Sequence, residues 1–505
     1  MTSRNLLHCL LDGRDPDSAA FVIPQGPTLT TREWRALVGR LATALAGLGV
    51  VEGSRVTFKL SKGVEPVALA HACFQLGATV QPINTDYTDV ETRYLVEDVD
   101  PHLVVCDPPA QARMATVAGA GRHLETLGPG CSGSLGKLAQ GSAPMARVAE
   151  VSGDAVAAIL YTSGTTGRPK GAQITHDNLA QSARALGATW GLGAADRLLH
   201  FLPVYHAHGL LTSIHVMLAA GGSVLFLERF EPQAVLAGLG QATVVMGVPT
   251  HYGRLLREPG LAGATGPGFR LAISGSAPLP AEIAQRFFEV TGHRIVERYG
   301  STEAAIVTAL PAASPERLGW VGWALPGVQI RVATTEGARA ARGIGVLETR
   351  GHNVFRGYWR RPDADREAFT EDGWFVTGDI AEIDASGCVR LLGRARDLII
   401  SGGLNIYPRE VEIALDALPE VAESAVFGVP HPDFGEAGVA ALRLHPGAQW
   451  QEQRAIESLR AQLAGYKVPK RLLPMADLPR NGNGKVLKAQ LRESYRDLFA
   501  LAAKA

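Results

Sequence analysis

The sequence predicts an α/β protein. It has a large N-terminal domain of parallel and mixed sheets with helices plus a β-rich subdomain, and a small α+β C-terminal domain. Three observations predict this. Short apolar runs alternate with helical periodicity over the first three hundred residues, as in βαβ units whose strands are buried on both faces. After about residue 340 short strands separated by glycine turns take over, which suggests antiparallel pairing. Roughly the last hundred residues then return to alternating strand and helix.

Thr30-Thr31-Arg32-Glu33 fits a capping box, and Trp34, Leu37, Leu41, Leu45 and Leu48 follow at helical spacing. Gly47 and Gly49 stand where that helix should stop. RVTFKL (55–60) reads as a strand, VEPVALAHACFQLG (64–77) as a helix and TVQPI (79–83) as a strand, a βαβ unit. The same alternation is expected around 156–228 and 243–307, with AVAAILY (155–161), SVLFL (223–227), TVVMGV (243–248) and RLAIS (270–274) as buried strands. The most apolar long window, 210–227, contains His215 and Gly221-Gly222, so it reads as a buried helix, a break and a strand, not a membrane span. GVLETRG (345–351), GWFVTGD (373–379) and AEIDASGCVRLLGR (381–394) read as antiparallel strands. ESAVFGV (423–429), GVAALRL (438–444) and a helix over 451–463 build the small domain, behind the polar connector GRARDL (393–398).

A chain of 505 residues with 46% hydrophobic and 19% charged residues has the composition of ordinary large cores. Lysine plus arginine (49) balances aspartate plus glutamate (49), so the basic excess of a nucleic-acid binder is missing. The five cysteines (9, 73, 106, 131, 388) show no CxxC and no zinc-ligand spacing, and read as reduced thiols. The N-terminal apolar run is too short for a secretory signal. These readings place the protein in the cytoplasm, with no membrane and no nucleic-acid partner.

The stretch YTSGTTGRPKG (161–171) combines four Ser or Thr hydroxyls, three glycines, one Arg and one Lys directly after a buried strand. Glycines let backbone approach a ligand, and successive N–H groups in such a turn bind anions. It is not the GxxxxGK[ST] loop of a P-loop enzyme, because Gly164 and Gly167 are three apart and Gly171 follows Lys170. A plain Ser/Thr/Gly turn would have the same composition.

YTSGTTGRPKGAQITHDNL resembles the phosphate-loop signature of the acyl-adenylate-forming superfamily, which holds acyl-CoA synthetases, peptide-synthetase adenylation domains and luciferases. YGSTE (299–303), TGD (377–379), Gly393-Arg394, SGGLNIYPREVE (401–412) and PRNGNGK (479–485) match its further motifs in order, across nearly the whole chain. The resemblance implies a reaction in two steps. A carboxylate attacks the α-phosphorus of ATP, giving acyl-AMP and pyrophosphate; a thiol, usually of coenzyme A, then displaces AMP. It implies that Thr162, Ser163, Gly164, Thr165, Thr166 and Lys170 cradle the β- and γ-phosphates. Glu303 would hold Mg2+, Tyr299 with Gly300 would meet adenine, and Thr302 would approach the α-phosphate. Asp379 would accept from the ribose hydroxyls, Arg394 would assist there, and Lys485 would be the adenylation lysine. Residues 1–393 would hold the ATP and carboxylate site, 394–398 the hinge, and 399–505 a small mobile domain. That domain would carry Lys485 in the first step and rotate to present Gly402 and Gly403 to the pantetheine arm in the second. The family hinge residue is usually Asp or Lys; here it is Arg396.

YHAHGL, MGVPTHYGRLL, SGSAPL, ERYGSTE and NVFRGYW are more narrowly similar to malonyl-CoA synthetases. That likeness implies His206 at the pocket gate and Arg254 as the partner of a distal carboxylate, with Ser276, Ala277 and Ser301 lining the acyl pocket. Ser301 stands where that group commonly has Met, so a branched malonate would fit. The expected substrate is malonate, with methylmalonate tolerated. The alternatives are another short carboxylate:CoA ligase and a stand-alone adenylation enzyme loading a carrier protein. A monomer or weak homo-oligomer is expected.

Overall fold

A computed structural model describes residues 4–119, 121–162, 169–313, 317–334, 337–401, 404–432, 434–463, 465–480 and 485–499. The chain forms two compact units. The first comprises Met1–Ile330 with Thr349–Phe375, and the second Arg331–Glu348 with Val376–Ala505.

In the first unit the capping box forms as read. Thr30 Oγ1 accepts from the Glu33 N–H at 3.2 Å, and the Glu33 carboxylate accepts from the Thr30 N–H at 2.8 Å. The helix Thr31–Gly47 follows, and Gly49 leaves it at φ +84°. Trp34, Val38, Leu41 and Leu45 bury its apolar stripe. A six-stranded sheet runs in the order His123–Thr126, Leu103–Cys106, Arg55–Lys59, Thr79–Pro82, Val156–Thr162, Lys170–Thr175. The first five strands are mutually parallel. The last pair is antiparallel, with Thr162 opposite Lys170. The βα alternation expected from residue 156 therefore begins with a hairpin. Gly171 permits it, because a Cβ there would lie 2.8 Å from Ile159 Cγ2.

The other sheet strands of this unit include a parallel run in the order Ile295–Ser301, Leu271–Ser274, Val244–Gly247, Arg197–His200, Ser223–Phe226, Ala19–Val22. Beyond Ile295–Ser301 the pairing turns antiparallel through Ala305–Ala309. The window 210–227 folds as expected: a π-helical segment Ala207–Ile214 runs into the helix His215–Ala219, Gly221 breaks it at φ +86°, and Ser223–Phe226 is a strand.

Five of the described histidines are buried in this unit, among them His71, His176 and His215. Trp34 Nε1–H donates to His71 Nδ1 at 3.2 Å, which leaves the His71 proton on Nε2, 3.3 Å from His215 Nε2. Leu6 N–H donates to His176 Nδ1 at 3.0 Å. Burial pushes His71 down to about 3, His176 to about 4, and His215 well below its ordinary value.

In the second unit a five-stranded sheet runs Leu404–Ile406, Ile399–Ser401, Gly435–Leu444, Val421–His431, with Arg471–Met475 parallel to Gly435–Leu444. The strands read at 423–429 and 438–444 lie inside Val421–His431 and Gly435–Leu444, which pair antiparallel. Helices Pro408–Asp416 and Glu452–Gln462 cover the sheet through Val411, Leu415 and Leu459, packed on Val426, Ala440 and Leu442. No helix among the described residues is long and apolar enough to cross a membrane, and no cysteine is in a disulfide.

The buried histidines set a pH dependence. Each is neutral when folded but binds a proton near its ordinary value when unfolded, so the unfolded state takes up more protons in acid. Unfolding free energy should therefore fall as pH drops through about 6.5 toward the folded values, by roughly 2 kcal/mol per histidine at about pH 5. Urea midpoints at about pH 7.5 and pH 5 check this; His71→Gln should flatten the slope.

Candidate active site

Thr162 ends the strand Val156–Thr162, and Lys170 opens its antiparallel neighbour. Ser163, Gly164, Thr165 and Thr166 lie outside the described residues. The two stems of the loop are anchored: Tyr161 OH donates to Asp98 at 2.5 Å, and Tyr94 OH donates to the Pro169 carbonyl at 2.9 Å. Asp98 is fixed in turn by Arg361 at 2.7 Å.

Glu303 comes to this stem from the turn after Ile295–Ser301. A Cβ on Gly300 would sit 1.8 Å from the Ala305 carbonyl oxygen, so the chain can double back here only with glycine. Ala305 takes φ +40°, a strained value for a residue with a side chain. Ser301 Oγ accepts from the Ala304 N–H at 3.1 Å and closes the turn. Asn353 Nδ2 donates to the Ala304 carbonyl at 3.0 Å and holds it from behind. The turn thereby carries Thr302 and Glu303 at its tip. Thr162 Oγ1–H donates to Glu303 Oε1 at 3.0 Å, and Tyr358 OH donates to the same oxygen at 3.1 Å. Burial and the Glu303 charge push the Tyr358 phenol up, so it stays a donor. The Lys170 ammonium lies 5.2 Å from the centre of the Tyr358 ring. Thr162, Lys170 and Glu303, far apart in sequence, are thus one cluster, with Tyr358 as an added member.

No group of three or more His, Cys, Asp or Glu side chains among the described residues is placed to cage a metal ion. One carboxylate beside hydroxyls is the donor set for a hard cation that brings its own phosphate oxygens. The Glu303 cluster fits such an ion.

The second cluster centres on Arg298, three residues before Ser301. Arg298 is 7% exposed, and burial alone pushes it down to about 10. Among the described residues its guanidinium has no ion pair and no hydrogen bond. Gly275 makes room for it: a Cβ there would lie 2.4 Å from Arg298 Nε. Ser276 follows at φ +71°, with its hydroxyl 3.2 Å from His208 Nδ1. His208 Nε2 is buried without a hydrogen-bond partner among the described residues. Burial first, then the Arg298 charge, lowers both His206 and His208. His206 is exposed. Ser276 and Ala277 are exposed beside it, and Tyr299 is buried in the strand. Arg254 is exposed on the helix Pro249–Leu255, its guanidinium 4.7 Å from the Phe230 ring centre. His251, on the same helix, stacks on that ring at 4.4 Å.

In the second unit Asp379 and Arg394 face each other across antiparallel strands, with Arg394 Nε 2.9 Å from Asp379 Oδ1. Thr377 Oγ1–H donates to the Leu347 carbonyl at 2.8 Å and accepts from the Asp379 N–H at 3.1 Å. Gly378 sits between them at φ +70°. Lys485 is exposed as a residue. Desolvation of its ammonium, then Arg394 and Arg396, lower its pKa, and Asp379 and Asp397 oppose them. Gly402 and Gly403 lie outside the described residues.

Sequence reasoning missed Arg298, His208 and Tyr358. All three stood inside motifs it quoted. An arginine in the middle of an apolar strand, as in IVERYGS, is the signal that could have found the first.

The chain matches the AMP-binding enzyme family over residues 12–359 and the AMP-binding enzyme C-terminal domain over 410–485. It is 34% identical over 479 residues to a feruloyl-CoA synthase of Amycolatopsis sp, covering 93% of this chain and 94% of that one. It is 33% identical to the mitochondrial malonate–CoA ligase ACSF3 of Mus musculus, covering 88% and 82%. The crystal structure of ATP-bound MatB from Rhodopseudomonas palustris superposes with a TM-score of 0.94 at 44% identity, covering 99% of this chain and 100% of that one. The chain therefore belongs to the AMP-binding enzyme family and is an adenylate-forming CoA ligase, an acid–thiol ligase that uses ATP and CoA.

Proposed function

We propose that this ligase activates malonate, tolerates methylmalonate, and joins it to CoA. The observation that carries the reading is Arg298. A buried guanidinium with no acidic partner among the described residues is costly unless a bound anion completes it. Its planar fork suits a carboxylate that is not the reacting one. His206, His208 and Ser276 supply short polar neighbours to the same end of a small substrate. A fatty acyl chain would leave the charge unanswered. Arg254 is assigned as the outer cation of the same path, stacked on Phe230. Ser301, short and engaged with its own turn, is assigned as the residue that admits a methyl branch.

The residues take these roles. One substrate carboxylate meets Arg298 and leaves the other to attack the α-phosphorus; the bond to the bridging oxygen breaks and pyrophosphate departs. Thr162, Lys170 and the loop 163–166 bind the leaving phosphates, and Thr302 donates to the α-phosphate. A magnesium ion at Glu303 would supply charge neutralisation for the polyphosphate. Tyr299 with Gly300 meets adenine, and Asp379 with Arg394 binds ribose. Lys485 neutralises charge between carboxylate and α-phosphate, which makes catalysis mainly positioning and electrostatics. In the second half-reaction the thiol loses its proton, sulfur bonds to the acyl carbon, and AMP leaves. We assign 394–398 as the hinge and Gly402-Gly403 to the pantetheine arm.

The test is thioester formation with ATP, Mg2+ and CoA across acetate, malonate, methylmalonate, succinate, sulfoacetate, benzoate, ferulate and a medium-chain fatty acid. Malonate or methylmalonate should lead. Arg298→Ala should lose about 100-fold or more in kcat/KM for the diacid and shift preference toward acetate. Gly275→Ala, which pushes the guanidinium aside, should raise KM for the diacid and leave KM for ATP unchanged. A leading monocarboxylate, or an Arg298→Ala enzyme with unaltered preference, sinks the diacid reading. Preference for a holo-carrier protein over CoA would replace the thiol partner. Glu303→Gln should abolish adenylation. Tyr358→Phe should cost about 10- to 100-fold and be partly restored by excess Mg2+, measured as pyrophosphate exchange.

A further inference from the structure

The Lys485 motif is closed on itself just behind the lysine. Leu487 N–H donates to the Pro479 carbonyl at 2.8 Å, and Arg480 faces Val486 in an antiparallel bridge. Each flank is then tied by an ion pair to a different element of the second unit. Arg480 pairs with Glu423 on the strand Val421–His431, and Arg443 reaches the same oxygen at 3.4 Å. Lys488 Nζ lies 2.5 Å from Glu412 Oε1 on the helix Pro408–Asp416. Glu412 is 6% exposed, and the same oxygen accepts from the Val426 N–H at 3.0 Å. Apolar anchors follow the same plan: Leu478 and Leu491 are buried with Phe427, Val439 and Ala441, and Val486 packs against them.

We propose that Glu423 and Glu412 are positioning residues for the adenylation step, holding the two flanks of the Lys485 motif to the helix and strand that form the core of this unit. The proposal rests on Lys485 being the adenylation lysine. A lysine side chain on a flexible four-carbon stem neutralises a transition state only if its backbone is held to a fraction of an ångström. The helix and the strand meet through Val411, Leu415 and Val426, so both carboxylates are referenced to one rigid body. Neither touches the reacting groups. Loosening either should therefore slow chemistry without weakening nucleotide binding, and should spare the half-reaction that does not use the lysine.

The experiment separates the half-reactions in the full-length enzyme. Adenylation is read as carboxylate-dependent ATP–pyrophosphate exchange, and thioester formation is read from chemically prepared acyl-adenylate plus CoA. Glu423→Gln and Lys488→Ala should each lower kcat for exchange about 10- to 100-fold with KM for ATP unchanged, and should leave thioester formation at the wild-type rate. Lys488→Arg should restore exchange. Lys488 is the outer partner of its pair, with a side chain 21% exposed, so it tests the clamp even if a carboxylate variant misfolds. Equal losses in both half-reactions, or unchanged exchange while Lys485→Ala abolishes it, overturn the clamp alone. Exchange that survives Lys485→Ala overturns the role of the lysine and the clamp with it.

Discussion

The close approach of Gly300 to the Ala305 carbonyl governs the Glu303 cluster of the first unit. It lets a strand at the end of a parallel run reverse at once into an antiparallel partner. The reversal leaves a short tip, so Thr302 and Glu303 project beyond the sheet instead of packing into it. Glu303 can then meet Thr162, which ends a strand of the other sheet. The strain at Ala305 and the bond from Asn353 belong to the same device. A larger residue at 300 would open the turn and separate the carboxylate from the hydroxyls that orient it.

Upstream on the same strand, burial makes Arg298 the dominant local charge. The histidines around it are held neutral by desolvation, and its own charge lowers them further. Lys62 shows the contrast. It too is desolvated, but its ammonium reaches the Leu227 carbonyl at 2.5 Å and lies over the Phe226 ring at 4.5 Å. Lys62 is a satisfied structural cation, while the Arg298 guanidinium has no ion pair and no hydrogen bond among the described residues. Residue type alone does not distinguish them; the partners do.

Much of the local architecture was legible from spacing. The capping box at Thr30, the break at Gly221 and the paired strands of the small domain are short-range features, decided by caps, turns and periodicity within a few residues. The hairpin at 156–175 was not, because an apolar strand reads the same in parallel and antiparallel pairing. Asp379 and Arg394 were each singled out, but their pairing depends on a register between strands that no local pattern encodes.

The chemistry on offer is legible residue by residue: a hydroxyl- and glycine-rich loop, a carboxylate after YGST, an Asp after TG and a lysine after PRNGNG, each motif readable because it is contiguous. The folded chain alone settles which of these groups lie together and which arginine is buried without an acidic partner among the described residues. Arg298 is distinguished by the missing Cβ of Gly275 just past the end of the neighbouring strand, and Glu303 by hydroxyls from Thr162 and Tyr358. Burial and partnership are properties of the space between segments, and that space exists only once the strands have paired.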